Sequence, residues 1–247
     1  MALFQSMENQ GNYLFKYRGQ FPILLFVLTI PFIYSTNYGN FSEEFSLNLI
    51  NISIILSVIG FFIRFYTIGT TPKGTSGRNT KEQVANTLNS SGMYSMLRHP
   101  LYLGNYLIWF GIALSTFSIF FILIMSLLFW LYYERIMIAE ERFLEKKFGD
   151  DFIKWSNTLP AFIPNIFNFR KSSTPFSFIT ILRREYASVL SCIVGFLFVE
   201  LLKNIFVLNL FNISKESFLV LIISAFIALI LRSLKHYSSI LDEKGRS

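Results

Sequence analysis

Ser91-Gly-Met-Tyr-Ser-Met-Leu-Arg-His-Pro-Leu-Tyr-Leu-Gly104 carries an arginine, a histidine and two tyrosines into the mouth of a strongly apolar run. Polar groups in such a place are costly unless they are used or satisfied. Pro100 suits a first helical position, where a missing N–H has no intrahelical partner to lose. From there the chain is apolar to Thr116 and again from Phe117 to Tyr133. The pattern predicts two helices, turning around Ser115 to Ser118 as a tight antiparallel hairpin. Glu134 to Phe148 extends the second helix past its apolar part, and Gly149 is placed to cap it. Glu140 and Glu141 therefore lie at the same end of the hairpin as Arg98 and His99.

Further apolar runs lie on either side: Phe21 to Tyr34, Leu47 to Ile68, Tyr186 to Val207 and Phe218 to Leu234. A membrane span takes about 20 residues. The first run is short, and Pro31 should kink or end it. Hydrophobic residues make up 53% of the 247-residue chain and charged residues only 15%, against about 25% in a soluble domain. The expected fold class is all-α: a multi-pass transmembrane helical bundle of about six spans. Arg64, near the end of the second run, reads as a snorkelling side chain, and Glu200 and Lys203 read as a pair one helical turn apart. Cys192, the one cysteine, excludes an internal disulfide. Met1 to Gln20 has no apolar core, so no cleavable signal peptide is expected.

The net charge is +7. Its bases flank apolar runs, which points to lipid and away from nucleic acid. They gather in the N-terminal arm, between Lys73 and Arg98, between Arg135 and Arg184, and in the tail. By the positive-inside rule both termini face the cytoplasm, and both polar stretches fall on that side. Gly69 to Leu97 is too polar to cross and long for an idle connection, as a lid would be. Plainer readings stay open here. Arg98 and His99 could be basic flanks, Glu140 and Glu141 a solvated face paired with Lys146 or Lys147, and Tyr94, Tyr102, Trp109 and Tyr133 an aromatic belt.

Taken together, Ser91-Gly92-x-Tyr94, Arg98-His99-Pro100-x-Tyr102-x-Gly104, the hairpin, Glu140-Glu141-x-x-Leu144, Phe148-Gly149, Pro160 and Ile163-Pro164 form one ordered pattern. It resembles the isoprenylcysteine carboxyl methyltransferase and phospholipid methyltransferase superfamily of membrane enzymes, over roughly residues 79–164. The resemblance divides the chain into N-terminal spans (1–69), a methyltransferase core (70–164), and C-terminal spans with a basic tail (165–247). It implies S-adenosyl-L-methionine as cofactor, held on the cytoplasmic side between the loop, the hairpin and the following helix. Gln83, Leu88, Tyr94, His99, Pro100, Leu101, Tyr102, Glu140 and Glu141 match its cofactor-contacting positions. Arg98, His99 and Glu141 form the implied catalytic set, and no metal is implied.

The implied chemistry suits those residue types. Glutamates can accept from an ammonium or ribose hydroxyls, and Arg98 or His99 can hold a carboxylate. The implied acceptor is a lipid or lipid-linked group in the bilayer: a headgroup, a lipid phosphate or an isoprenylcysteine carboxylate. The carboxyl methyltransferases commonly carry an arginine one turn before the first acid, where this chain has Ile136. The lipid reading therefore fits at least as well. Composition rich in Phe, Ile, Asn and Lys points to an AT-rich bacterial genome, which lowers the prenylated-protein reading; the expected location is a bacterial inner membrane, and no obligate protein partner is evident. Sterol reductases, which bind a nicotinamide cofactor, resemble the same arrangement but commonly have an acid where Asn105 stands. A transporter or scaffold is the non-enzymatic alternative, although no convincing repeat is evident.

Overall fold

The computed structural model describes residues 2–75 and 83–246, without the side chains of 21–23. Arg78 and Lys81, part of the expected basic loop, lie outside the described residues. Eight α-helices follow one another: α1 (Ala2–Lys16), α2 (Phe21–Ser35), α3 (Glu43–Gly69), α4 (Pro100–Leu114), α5 (Ile119–Phe148), α6 (Asp150–Asn157), α7 (Phe178–Leu208) and α8 (Lys215–Tyr237). The extended contact among the described residues is one isolated antiparallel bridge, Gly92 to Arg170.

Serine starts each of the four long helices. The hydroxyls of Ser42, Ser118, Ser177 and Ser214 accept from the backbone N–H three residues on, satisfying one of the donors that a helix start leaves without partners. These four helices, α3, α5, α7 and α8, are long and apolar enough to cross a membrane. The chain is thus all-helical and fits an integral membrane protein. α2 and α4 are apolar but have only 15 residues each, about 22 Å of helix against a hydrocarbon core of about 30 Å. The expectation of about six spans thus meets four helices of full length. Pro31 does not end α2, which continues to Ser35.

The hairpin forms as its sequence predicts. α4 ends at Ser115, Phe117 takes a positive φ of 62°, and Ser118 caps α5. α5 runs unbroken through the apolar part and its polar extension to Phe148. Gly149, at φ 52°, closes it with an N–H to the Glu145 carbonyl (2.8 Å).

α3 packs along α4 on a seam of small residues. A Cβ added to Gly60 would lie 2.6 Å from the Gly104 carbonyl oxygen, and one added to Gly104 would lie 2.8 Å from that of Gly60. Close backbone approach of this kind is how helices associate where lipid offers no hydrophobic drive. Gly104 is therefore fixed by packing. A second apolar cluster joins Ile33 of α2, Ile108 and Ile112 of α4 and Cys192, Val199 and Leu202 of α7.

Arg64 does not snorkel. Its part-buried guanidinium makes a fork on the buried Glu185 carboxylate of α7 (2.8 and 2.7 Å) and also donates to the Asn105 side chain of α4. Asn105 in turn donates to the Tyr133 hydroxyl of α5 (3.1 Å). A bidentate pair lets a charge remain in an apolar bundle that would otherwise expel it. Glu200 and Lys203 feel each other's charge as expected, and each has further contacts. Glu200 accepts from the Ser214 N–H (2.7 Å) and the Ser217 hydroxyl, closing the α7–α8 turn, while the Lys203 ammonium lies over the rings of Phe117 and Tyr38.

Removing one partner of the Arg64–Glu185 pair strands a buried charge, so Glu185→Gln should cost about 3–5 kcal/mol. Arg64→Met with Glu185→Leu should recover much of that loss. Thermal unfolding in detergent checks both; a Glu185→Gln protein that unfolds like the wild type contradicts the assignment.

Candidate active site

Five backbone and side-chain ties hold the Ser91–Gly104 stretch in place. The N–H groups of Arg98 and His99 donate to the carbonyls of Pro160 and Ala161 (3.0 and 3.1 Å), and Asn165 N–H donates to the Met96 carbonyl (3.0 Å). Gly92 N–H reaches the Arg170 carbonyl and Arg170 N–H reaches the Ser95 hydroxyl (both 2.8 Å). The later prolines of the sequence pattern thus serve the turn that presents Arg98 and His99. Pro100 occupies the first turn of α4, with His99 as its cap residue.

The polar extension of α5 faces that turn. His99 is buried and its Nε2 lies 2.8 Å from Glu141 Oε1, while its Nδ1 lies 3.7 Å from Glu140 Oε2. The Tyr102 hydroxyl donates to Glu140 Oε1 (2.7 Å), and Arg98 Nε is 3.2 Å from Glu141 Oε1. Successive helical residues diverge by about 100°, so the two carboxylates flank the imidazole on different sides. Glu140 and Glu141 are therefore not paired with Lys146 or Lys147. Lys146 reaches Glu8 of α1 (2.7 Å), and Lys147 lies over the Phe143 ring. Tyr102 and Tyr133 are core residues in tilted ring contact, with centroids 4.6 Å apart.

These groups line a cavity of about 490 Å³. All ten residues singled out from the sequence border it: Gln83, Leu88, Tyr94, Arg98, His99, Pro100, Leu101, Tyr102, Glu140 and Glu141. Leu88 and Tyr94 are held there by a small apolar cluster with Phe152, Trp155 and Leu159, and the Trp155 indole donates to the Tyr94 carbonyl (3.3 Å). Among the described residues, Gln83 Oε1 and Asn89 Nδ2 are buried without hydrogen-bond partners. Buried orphans of this kind are rare in folded proteins, and a polar ligand in the cavity is one way to satisfy them.

Sequence reasoning missed one wall. α1 packs on the α5 extension and brings Phe15 and, just beyond it, Arg18 to the cavity. The Arg18 guanidinium sits over the Phe15 ring (4.1 Å) and 4.0 Å from Glu140. Phe4, Gly11 and Phe15 recur at helical spacing, which is the signal that could have found this helix. Trp155, Asn86 and Asn89 also border the cavity and carried no signal in the pattern.

Gly11 sits where α1 meets α5, since an added Cβ would lie 1.9 Å from the Arg135 carbonyl oxygen. Gly11→Val should therefore prise α1 off. Limited proteolysis of the detergent-solubilised protein should then cut the variant before residue 20 while sparing the wild type. Equal cleavage of the two contradicts this packing.

Comparison with known proteins places similarities over the hairpin and its extension. Residues 49–151 match the phospholipid methyltransferase family. The cobalt-zinc-cadmium resistance protein CzcN of Cupriavidus metallidurans is 38% identical over 36% of this chain and 41% of its own length. The nickel-cobalt-cadmium resistance protein NccN of Alcaligenes xylosoxydans xylosoxydans is 36% identical over 40% of this chain and 44% of its own. The protein-S-isoprenylcysteine O-methyltransferase of Schizosaccharomyces pombe is 25% identical over 50% of this chain and 55% of its own. The chain spans about half the length of the curated relatives it matches, and no solved structure matches it. A family match across the hairpin and a distant isoprenylcysteine methyltransferase relative thus make this part of the chain similar to the phospholipid methyltransferase and isoprenylcysteine carboxyl methyltransferase superfamily.

Proposed function

We propose that the protein is an S-adenosylmethionine-dependent methyltransferase whose acceptor is a lipid or lipid-linked group in the bilayer. The observation that carries this reading is the meeting of two distant stretches around one cavity, with His99 between Glu140 and Glu141. The residues present fit the cofactor. Glu140 and Glu141 can accept from its ammonium or ribose hydroxyls, and Arg98 can hold its carboxylate. The orphan atoms of Gln83 and Asn89 offer one acceptor and one donor to a heterocycle edge. The N-terminal end of α4, with Pro100 and Leu101 at the cavity, favours a negative group there.

When bound, S-adenosylmethionine supplies an electrophilic methyl group on a sulfonium whose positive charge is lost on transfer. A carboxylate held against that sulfur would favour the ground state over the transition state. Glu140 and Glu141 are therefore assigned to the amino-acid or ribose end. Phe15, Tyr94, Phe143 and Trp155 wall the cavity and exclude water. An anionic acceptor needs no base. For an amine acceptor, His99 is the local group able to take a proton, and its contact with Glu141 stabilises the imidazolium that results.

The wider placement belongs to the same reading. α2 and α4 cross with the four long helices, giving about six passes, the bilayer thinning locally around the two short ones. Both termini and the cavity then lie on the cytoplasmic side, as in a bacterial inner membrane protein. A nicotinamide dinucleotide fits less well, because its phosphates would meet two carboxylates at the centre of the site. The names of two relatives raise a second setting for the same chemistry, resistance to cobalt, zinc, cadmium or nickel.

Calorimetric titration of the purified protein with S-adenosylhomocysteine should show saturable binding, and titration with NADPH should show none. Glu140→Gln, Glu141→Gln and His99→Ala should each weaken that binding by about tenfold or more, some 1.4 kcal/mol, while still inserting in membranes. Unchanged affinity in all three variants removes the site assignment.

A further inference from the structure

Within the connection from α6 to α7, residues 163–169 leave their large apolar side chains outside every core. Phe167 is 93% exposed, Ile163 77% and Ile166 65%, and Phe169 is exposed beside them. Arg170 and Lys171 follow directly and are exposed too. A soluble surface does not gather large apolar side chains in this way without a partner.

The position of this loop identifies what covers it. Phe162 packs edge-on against Trp130 of α5 (5.8 Å) and Tyr106 of α4 (5.9 Å). Trp130 lies ten residues before Glu140, about 15 Å down the helix from the cavity. It belongs to the exposed apolar flank of α5 that also includes Leu127 and Leu131. The loop therefore descends from the site to the depth of the lipid-facing flank and is continuous with it. Its basic end is tied to the Ser91–Gly104 stretch, where Arg170 bridges to Gly92.

We infer that residues 163–171 form a membrane-interface anchor: Ile163, Ile166 and Phe167 insert at the headgroup–acyl boundary, and Arg170 and Lys171 engage anionic phospholipid headgroups. Apolar side chains beside basic ones are the composition that binds such a boundary. The consequence reaches the site, because the same loop is hydrogen-bonded to Gly92, Ser95, Met96, Arg98 and His99. Anchoring the loop fixes the height of Arg98 and His99 against the lipid headgroups. The inference needs no particular reaction and holds whether or not the chain transfers methyl groups.

An environment-sensitive NBD label tests it. The label is placed at Phe167→Cys, or at Asp151→Cys as the aqueous control, in a Cys192→Ser background. Both proteins go into phosphatidylcholine vesicles with and without phosphatidylglycerol. The label at 167 should be quenched several-fold more than that at 151 by shallow lipid nitroxides, and several-fold less by aqueous iodide. Phosphatidylglycerol should increase the nitroxide quenching, and Arg170→Gln with Lys171→Gln should abolish the increase. Equal iodide quenching at the two positions would overturn the insertion, and indifference to phosphatidylglycerol would overturn the headgroup contact.

Discussion

His99 is buried between two carboxylates contributed by a helix some forty residues further along the chain, and the site depends on that contact. Each partner alone would be expensive where it sits. An imidazole at the end of an apolar helix, or a carboxylate facing it, loses water and must recover hydrogen bonds elsewhere. Together, Glu141 meets His99 and Arg98, and Glu140 meets Tyr102 with Arg18 nearby. This mutual satisfaction draws the start of α4 against the end of α5, and the cavity is the space left beside it.

Two supports keep that geometry from drifting. Below the cavity, the Gly60–Gly104 seam and the Arg64–Glu185–Asn105–Tyr133 network tie α3, α4, α5 and α7 at one level. Tyr133 packs at a tilt against Tyr102, whose hydroxyl holds Glu140, so the buried network abuts the site through an aromatic contact. Beside the cavity, the loop after α6 is laced to the 92–99 stretch by backbone hydrogen bonds. A side chain on such rigid supports loses little orientation when a ligand arrives.

Much of this was legible from residue order. Pro100, the serines near 115–118 and Gly149 mark the hairpin and its extension, because start and stop signals act locally. The approach of Arg98–Tyr102 to Glu140–Glu141 followed from the hairpin's geometry, which returns the chain to the end where it began. Arg64 was misread because its partner, Glu185, lies 121 residues away and nothing local announces it. Glu200 likewise hydrogen-bonds to a turn 14 residues on, a partner that its spacing from Lys203 does not announce. α1 was missed because an arm of mixed polarity shows its apolar face only when read at helical spacing. The short α2 and α4 show that an apolar run does not by itself fix a full crossing.

A structure of the protein solved with S-adenosylhomocysteine in lipid nanodiscs tests the central claim most directly. The account predicts one ligand in the cavity, touching Glu140 or Glu141 on one side and the Arg98–Tyr102 turn on the other. A ligand bound elsewhere on the chain, or an empty cavity at saturating ligand, would contradict it.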